Sequence, residues 1–264
     1  MRVLVTGVAG FIGSTLALRL LERGDSVIGI DSLNAYYQVS LKQDRLERIK
    51  AAGGNRFAFH QVDFADMAAL ERALQGQEFD RIVHLGAQAG VRYSLENPQA
   101  YVSANLAGHV NLLEMARHRK VEHMVYASSS SVYGGNTNLP FSVEDRVDHP
   151  VSLYAATKRA DELMSETYAH LFRLPLTGLR FFTVYGPWGR PDMMMWIFTK
   201  AILAGQPIPV FNNGEMQRDF TYIDDIVSGV IACLDHPPAD DGAAQEKYRV
   251  WGGNRPEEET QLQG

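Results

Sequence analysis

Gly7, Gly10 and Gly13 stand three residues apart in TGVAGFIG, between a short apolar run from Val3 to Thr6 and a stretch at helical spacing from Phe11 to Arg23 that closes at Gly24. A strand, a turn stripped of side chains and a helix, in that order, let backbone N–H groups and a helix N-terminus face an anion. Few folds begin this way. Glycines alone also serve tight turns for steric reasons, so the rest of the chain must supply the context.

That context is an alternation. Apolar or β-branched runs recur at Val27 to Ile30, Phe57 to Val62, Arg81 to Leu85, Met124 to Ala127 and Leu176 to Phe181, with helical patterns such as Ala100 to Arg117 and Tyr154 to Phe172 between them. Strands alternating with helices predict an α/β fold, a doubly wound and mostly parallel Rossmann-type sheet with ligands at the carboxyl ends of its strands. Beyond Gly186 the prolines 187, 191, 207 and 209 punctuate shorter elements, which places a domain boundary near residue 180. The expected division is 1–179 for a cofactor domain and 180–264 for a smaller substrate domain, with 220–236 packing back on the first. The last dozen residues lack an apolar period and read as a solvated tail.

Asp31 ends the second strand, near the spacing at which a carboxylate accepts hydrogen bonds from an adenosine ribose and repels a 2′-phosphate, so NAD is favoured over NADP. Asp63, after the third strand, is a candidate for the adenine end, with a helix N-cap as the competing role. Tyr154 and Lys158 in YAATK lie one helical turn apart on one face, where an ammonium lowers the pKa of a phenol and makes it a base. Ser128 to Ser131 follow the fifth strand in YASSSSVYG, where a hydroxyl can bond a reacting sugar oxygen; serines there are also ordinary turn formers. Asp224 and Asp225 begin an apolar helix and read as its cap and dipole partners.

TGVAGFIG, HLGAQAGVRYS, ASSSSVYG, YAATK and RDFTYIDD together resemble the extended short-chain dehydrogenase/reductase family of nucleotide-sugar epimerases and dehydratases. More narrowly, LNAYYQVSLKQDRL and LRFFTVYGPWGRPDM resemble the UDP-glucuronate 4-epimerases of that family. The resemblance implies a tyrosine base, Tyr154, a lysine partner, Lys158, and a hydroxyl on the same sugar oxygen, Ser129. It implies a cofactor set of Gly7, Gly10, Phe11, Ile12, Gly13, Asp31, Asp63, Leu85, Ala87, Tyr154 and Lys158. The implied substrate set is Arg92, Ser129, Ser130, Ser131, Thr183, Arg190 and Arg218, with the two last arginines as forks for diphosphate or ribose. Dehydratases carry an acidic pair after the catalytic hydroxyl, where this chain has Ser130 and Ser131.

These features predict 4-epimerisation of a UDP-hexuronate through a 4-keto intermediate, with UDP-glucose 4-epimerisation as the runner-up. Relatives of this kind continue beyond the segment resembling YRVWGGNRP, so a truncated small domain, and with it a catalytically silent NAD-binding scaffold, is the reading from a different class. The net charge of −6 with no basic run gives nucleic acid and anionic membranes no electrostatic purchase. One cysteine, Cys233, excludes internal disulfides and fits a reducing compartment. With no apolar stretch near the roughly 18 residues of a membrane span, the cytoplasm is the expected location. No HxxxH or HExxH arrangement occurs among eight histidines, so no catalytic metal is expected. A homodimer through the helices Ala100 to Arg117 and Tyr154 to Phe172 is expected, as in similar epimerases.

Overall fold

Val3, Leu4 and Val5 are fully buried, because a strand covered by helices on both faces must be apolar without alternation. They belong to β1 (Arg2–Thr6), the centre of a parallel sheet completed by β2 (Ser26–Asp31), β3 (Phe57–Gln61), β4 (Arg81–His84), β5 (His123–Ser129) and β6 (Leu176–Phe181). The computed structural model describes residues 1–210, 212–215 and 217–240. Its six strands lie in the order β3-β2-β1-β4-β5-β6, so the chain reverses direction of travel between β1 and β4. Ligands of such sheets bind at that reversal, beyond the carboxyl ends of the strands.

The helices are α1 (Phe11–Arg23), α2 (Val39–Gly53), α3 (Met67–Ala73), α4 (Tyr93–Glu96), α5 (Pro98–Tyr101), α6 (Gly108–His118), α7 (Leu153–Phe172), α8 (Met194–Leu203) and α9 (Ile223–Asp235). Gly24 stops α1 in the left-handed conformation at φ 101°, and its N–H is directed at the carbonyls of Leu20 and Leu21. The single helix expected from Ala100 to Arg117 is interrupted: α5 and α6 are joined by a wider π turn, Val102–Ala107. No residue type marks such a turn, which leaves the apolar period intact.

Two cores flank the sheet, and the strands divide their side chains between them by the two-residue alternation of a pleat. Val3, Val5, Val83 and Val125 pack with α1 and with Ile223, Val227, Val230 and Leu234 of α9. Leu4, Ile82 and Met124 face Leu70 of α3 and Leu112, Leu113 and Ala116 of α6. α9 thus packs against the large sheet, although it lies late in the chain. Its cap is not acidic as expected, since Tyr222 occupies that position; Asp224 and Asp225 sit in the first turn, where they complement the helix dipole. Asp224 also pairs with Arg19 of α1 at 3.2 Å.

Between α7 and α9 the chain forms a small parallel pair, β7 (Thr183–Tyr185) and β8 (Phe220–Tyr222), with Thr183 in register with Phe220. α8 buries none of its residues, and Met194, Met195, Trp196, Ile197, Ile202 and Leu203 are exposed. The YRVWGGNRP segment and the expected tail lie outside the described residues.

Beneath the reversal point two histidine rings stack in the core, His84 of β4 on His109 of α6, with centroids 5.4 Å apart. Thr6 Oγ1 lies 2.7 Å from His84 Nδ1, and Ser165 Oγ lies 2.8 Å from His109 Nε2. Burial, and then the Lys158 charge, pushes His109 down to about 3; burial also holds His84 well below the ordinary imidazole range. Both are neutral in the folded chain at pH 5, whereas in the unfolded chain they take up protons below about 6.5. Unfolding therefore binds protons, and the stability these rings contribute is complete above about pH 6.5 and falls as pH drops toward 3. Replacing His109 by Gln should flatten the pH dependence of the unfolding free energy between pH 6 and 4 by up to about 1.4 kcal/mol per pH unit, read from urea midpoints. Parallel curves for the variant and the parent would overturn this.

Candidate active site

The turn after β1 is shaped by two steric facts. Gly7 has φ +67°, and a Cβ on it would lie 2.8 Å from Gly86 Cα, where the turn after β4 passes. A Cβ on Gly13 would lie 2.2 Å from the Gly7 carbonyl oxygen, so turn and helix close on each other without a side chain between them. Gly10 caps α1 without a side-chain hydrogen bond, and the first turn carries no acidic residue. The helix therefore presents its N-terminal N–H groups, including those of Phe11 and Ile12, with no side-chain cap and no acidic residue in its own first turn, as an anion requires.

Asp31 stands beside this turn at the end of β2, buried, with Oδ1 accepting from the Leu33 N–H at 2.8 Å and Oδ2 from the Ala9 N–H at 3.2 Å. Burial pushes its pKa up, and the Leu33 N–H, Lys42, the Ala9 N–H and Arg45 oppose that rise. Each oxygen keeps lone-pair capacity for a ribose hydroxyl. Leu85 and Ala87 follow β4, partly buried, opposite the turn. Asp63 is exposed and binds only its own loop, accepting from the Ala65 N–H at 2.9 Å; the cap of α3 is Asp66, so the helix-cap alternative for Asp63 is corrected.

Two cations near Asp31 escaped the sequence reading. Arg45 of α2 is fully buried, with Nη1 donating to Ala9 O at 3.1 Å and to the Tyr37 hydroxyl at 2.8 Å, and Nη2 to Trp188 O at 2.5 Å. Lys42 donates to Asn34 through its carbonyl at 2.9 Å and its side-chain oxygen at 2.8 Å. A signal was present: Lys42, Arg45, Leu46 and Ile49 form the buried stripe of α2, and cations on such a stripe must have partners.

Ser152 caps α7, its Oγ accepting from the Ala155 N–H at 3.0 Å, and so fixes where Tyr154 and Lys158 emerge. Lys158 is 3% exposed; its Nζ donates to Ala127 O at 2.9 Å and to Asp161 Oδ2 at 3.1 Å. The Tyr154 ring meets that of Tyr101 edge-on at 6.1 Å. Tyr101 donates to the carbonyls of Ala89 and Gly90, and burial pushes its pKa to about 12, so it remains a phenol beside Tyr154. Asn105, in the π turn, accepts from the Gln88 N–H at 2.9 Å and donates to Thr157 Oγ1 at 3.0 Å, tying the loop after β4 to α7.

The serines do not all follow the fifth strand. β5 runs through Ser129, so pleat alternation sends Ser128 and Ser129 to opposite faces. Ser128 donates to Glu162 at 2.6 Å, whereas Ser129 Oγ accepts from the Ser131 N–H at 3.1 Å and opens the turn Ser130–Tyr133. α7 packs along β5 and this turn, which brings the YAATK face and the serine cluster together. Thr183, half-buried, begins β7. Arg190 pairs with Asp192, and its charge reaches Tyr36 and Tyr154. Arg218 is exposed and donates to Gln217 O, and Arg92 is exposed at the position before α4.

The family model described as the NAD dependent epimerase/dehydratase family matches residues 3–250. A probable UDP-glucuronate 4-epimerase of Rhizobium meliloti is 49% identical over 248 residues, covering 94% of this chain and 72% of that protein. The crystal structure of the Bacillus cereus UDP-glucuronic acid 4-epimerase with UDP-glucuronic acid and NAD superimposes with a TM-score of 0.81 at 37% identity, over 89% of this chain and 74% of that one. The UDP-glucose 4-epimerase of Thermotoga maritima with UDP-glucose gives 0.78 at 30% identity, over 89% and 74%. The glycine turn, the N-terminus of α1 without a side-chain cap and buried Asp31 fit NAD. Asp31→Ala should lower the NAD released on denaturing the purified protein by about tenfold or more, since two charge-assisted hydrogen bonds are lost. Undiminished NAD in the variant, measured by mass spectrometry, would remove Asp31 from the cofactor site.

Proposed function

The chain belongs to the NAD-dependent epimerase/dehydratase family, and from that premise we propose that it interconverts UDP-glucuronate and UDP-galacturonate. Its class is that of a nucleotide-sugar 4-epimerase; the uronate is the finer reading. NAD, when bound, would supply a hydride acceptor and donor for sugar carbon 4. The chain does the rest. Tyr154 takes the 4-hydroxyl proton and gives it back, and Ser129 bonds the same oxygen. Lys158 spends two of its three donors on Ala127 and Asp161, which leaves the third for the cofactor ribose or the tyrosine. No carboxylate follows Ser129, so elimination lacks an acid and a base.

The observation that carries the uronate is the trio of hydroxyls at Ser130, Ser131 and Thr183 beside the serine turn and β7. A 4-keto uronate is a β-keto acid and loses carbon dioxide when its carboxylate bond stands perpendicular to the ketone plane. Hydroxyls that hold the carboxylate in another orientation forbid that loss. Arg190 is the proposed grip on the diphosphate, and Arg92 and Arg218 are kept as candidates there. Exposed Val102 in the π turn and Leu163 and Leu171 on α7 support the homodimer proposed for that face.

Tyr154→Phe should abolish turnover and keep NAD, and retention of most activity would displace the base. Thr183→Val should slow epimerisation and release a UDP-pentose by-product, visible by proton NMR. The parent should prefer UDP-glucuronate over UDP-glucose by one or two powers of ten for each contact left unpaired. Equal rates on both sugars, with no pentose from the variant, would transfer the assignment to UDP-glucose.

A further inference from the structure

Asp161 is 1% exposed, three residues after Lys158 on α7, with one carboxylate oxygen on Lys158 Nζ at 3.1 Å. Its other oxygen is buried with no hydrogen-bond partner among the described residues. A buried carboxylate is costly, and one that leaves half its acceptors unused is not there for packing. The single polar partner described for its side chain is the ammonium of the YAATK lysine. That ammonium donates on its other side to Ala127 O, two residues before the end of β5.

We infer that Asp161 is a positioning residue for the epimerase reaction, which clamps the Lys158 ammonium against Ala127 and offsets its charge, so setting how strongly Lys158 acidifies Tyr154. The inference rests on Tyr154 as base and Lys158 as its partner. An ammonium with no counter-ion would depress the phenol further and make a weaker base, because a lower pKa gives a smaller driving force for taking the sugar proton. With Asp161 ionised, the pair carries no net charge and the lysine acts through its remaining donor.

The surroundings leave this role to Asp161. From β4 and α6, His84 and His109 face the lysine as neutral rings. From β5, Tyr126 is a phenol with its pKa raised to about 12 by burial, and Tyr101 beside Tyr154 is likewise at about 12. Glu162, next on α7, is committed to Arg180, Arg159 and Ser128. Arg190 adds positive charge within reach of Tyr154 but is itself paired with Asp192. Burial holds the Asp161 carboxyl up at about 6, against the pull of Lys158.

The test is the pH profile of kcat/KM for UDP-sugar epimerisation by the NAD-loaded enzyme. Asp161→Asn keeps shape and an acceptor for Lys158 while removing the charge, and its acid limb should move down by about one pH unit, with reduced turnover on the alkaline plateau. Asp161→Leu removes clamp and charge together and should lower kcat at least tenfold with KM little changed. Asp161→Ser reads the same displacement should Asn not be accommodated. Acid limbs of the charge-removing variants that coincide with that of the parent would overturn the inference. Combining Asp161→Asn with Lys158→Met should give the profile of Lys158→Met alone; a further shift in the double variant would also overturn it. Tyr154→Phe measured in parallel separates the two readings: if it stays active the base assignment fails, and if it is dead while the limbs coincide only Asp161 fails.

Discussion

The contact on which the site depends is the closure of the first turn on itself and on its neighbour, Gly13 against the Gly7 carbonyl and Gly7 against Gly86. β1 and β4 are adjacent, so the loops leaving their carboxyl ends must pass close together, and the backbone itself fills the gap. Thr6 fixes that approach, since its Oγ1 accepts from the Gly86 N–H at 2.9 Å and meets His84 on its other side. A methyl group at either glycine would push α1 away from the sheet and Asp31 away from the turn it binds through Ala9. The surface proposed for the cofactor is therefore a consequence of sheet geometry, with few polar side chains needed to make it.

A second constraint acts from the other face. α7 carries Tyr154 and Lys158, and its position is over-determined: Ser152 caps it, Asn105 bonds its Thr157, Lys158 bonds β5, and Glu162 joins Arg180 of β6 to Ser128 of β5. Such redundancy is what holds reacting groups within a few tenths of an ångström of a working geometry. It also accounts for Ser128 and Ser129 having different duties despite being neighbours. One secures the helix to the sheet and the other is left facing the turn.

What the sequence disclosed followed from period and punctuation. The six strands of the sheet emerged from short apolar or β-branched runs, buried on both faces in β1, β2, β4 and β5, while α1 emerged from its period and Gly24, and Asp31 from its place at the end of β2. What it hid was long-range or conformational. The π turn keeps the apolar period of its flanks, so Asn105 had no mark. Lys42 and Arg45 were quoted only within a family-like segment, because charged residues at helical spacing normally read as a solvated face. Asp161 passed as an ordinary helix residue, since no local pattern tells a buried carboxylate from an exposed one. Asp63 and Asp66 are three residues apart, and a capping preference alone does not choose between them.

Arg45 shows how the hidden residues join what the motifs leave separate. Its guanidinium is fully buried and bonds Ala9 in the glycine turn on one side and Trp188 and Gly189 on the other, one residue from Arg190. Burying an unpaired guanidinium is costly, so these carbonyls are held in place as firmly as they hold it. A lysine there would present one point charge, where the planar fork reaches Ala9 and Tyr37 through one nitrogen and Trp188 and Gly189 through the other. The turn proposed to face the cofactor and the loop that carries the proposed diphosphate grip are thus joined by a single buried side chain. The two segments cannot move apart without breaking hydrogen bonds of that guanidinium.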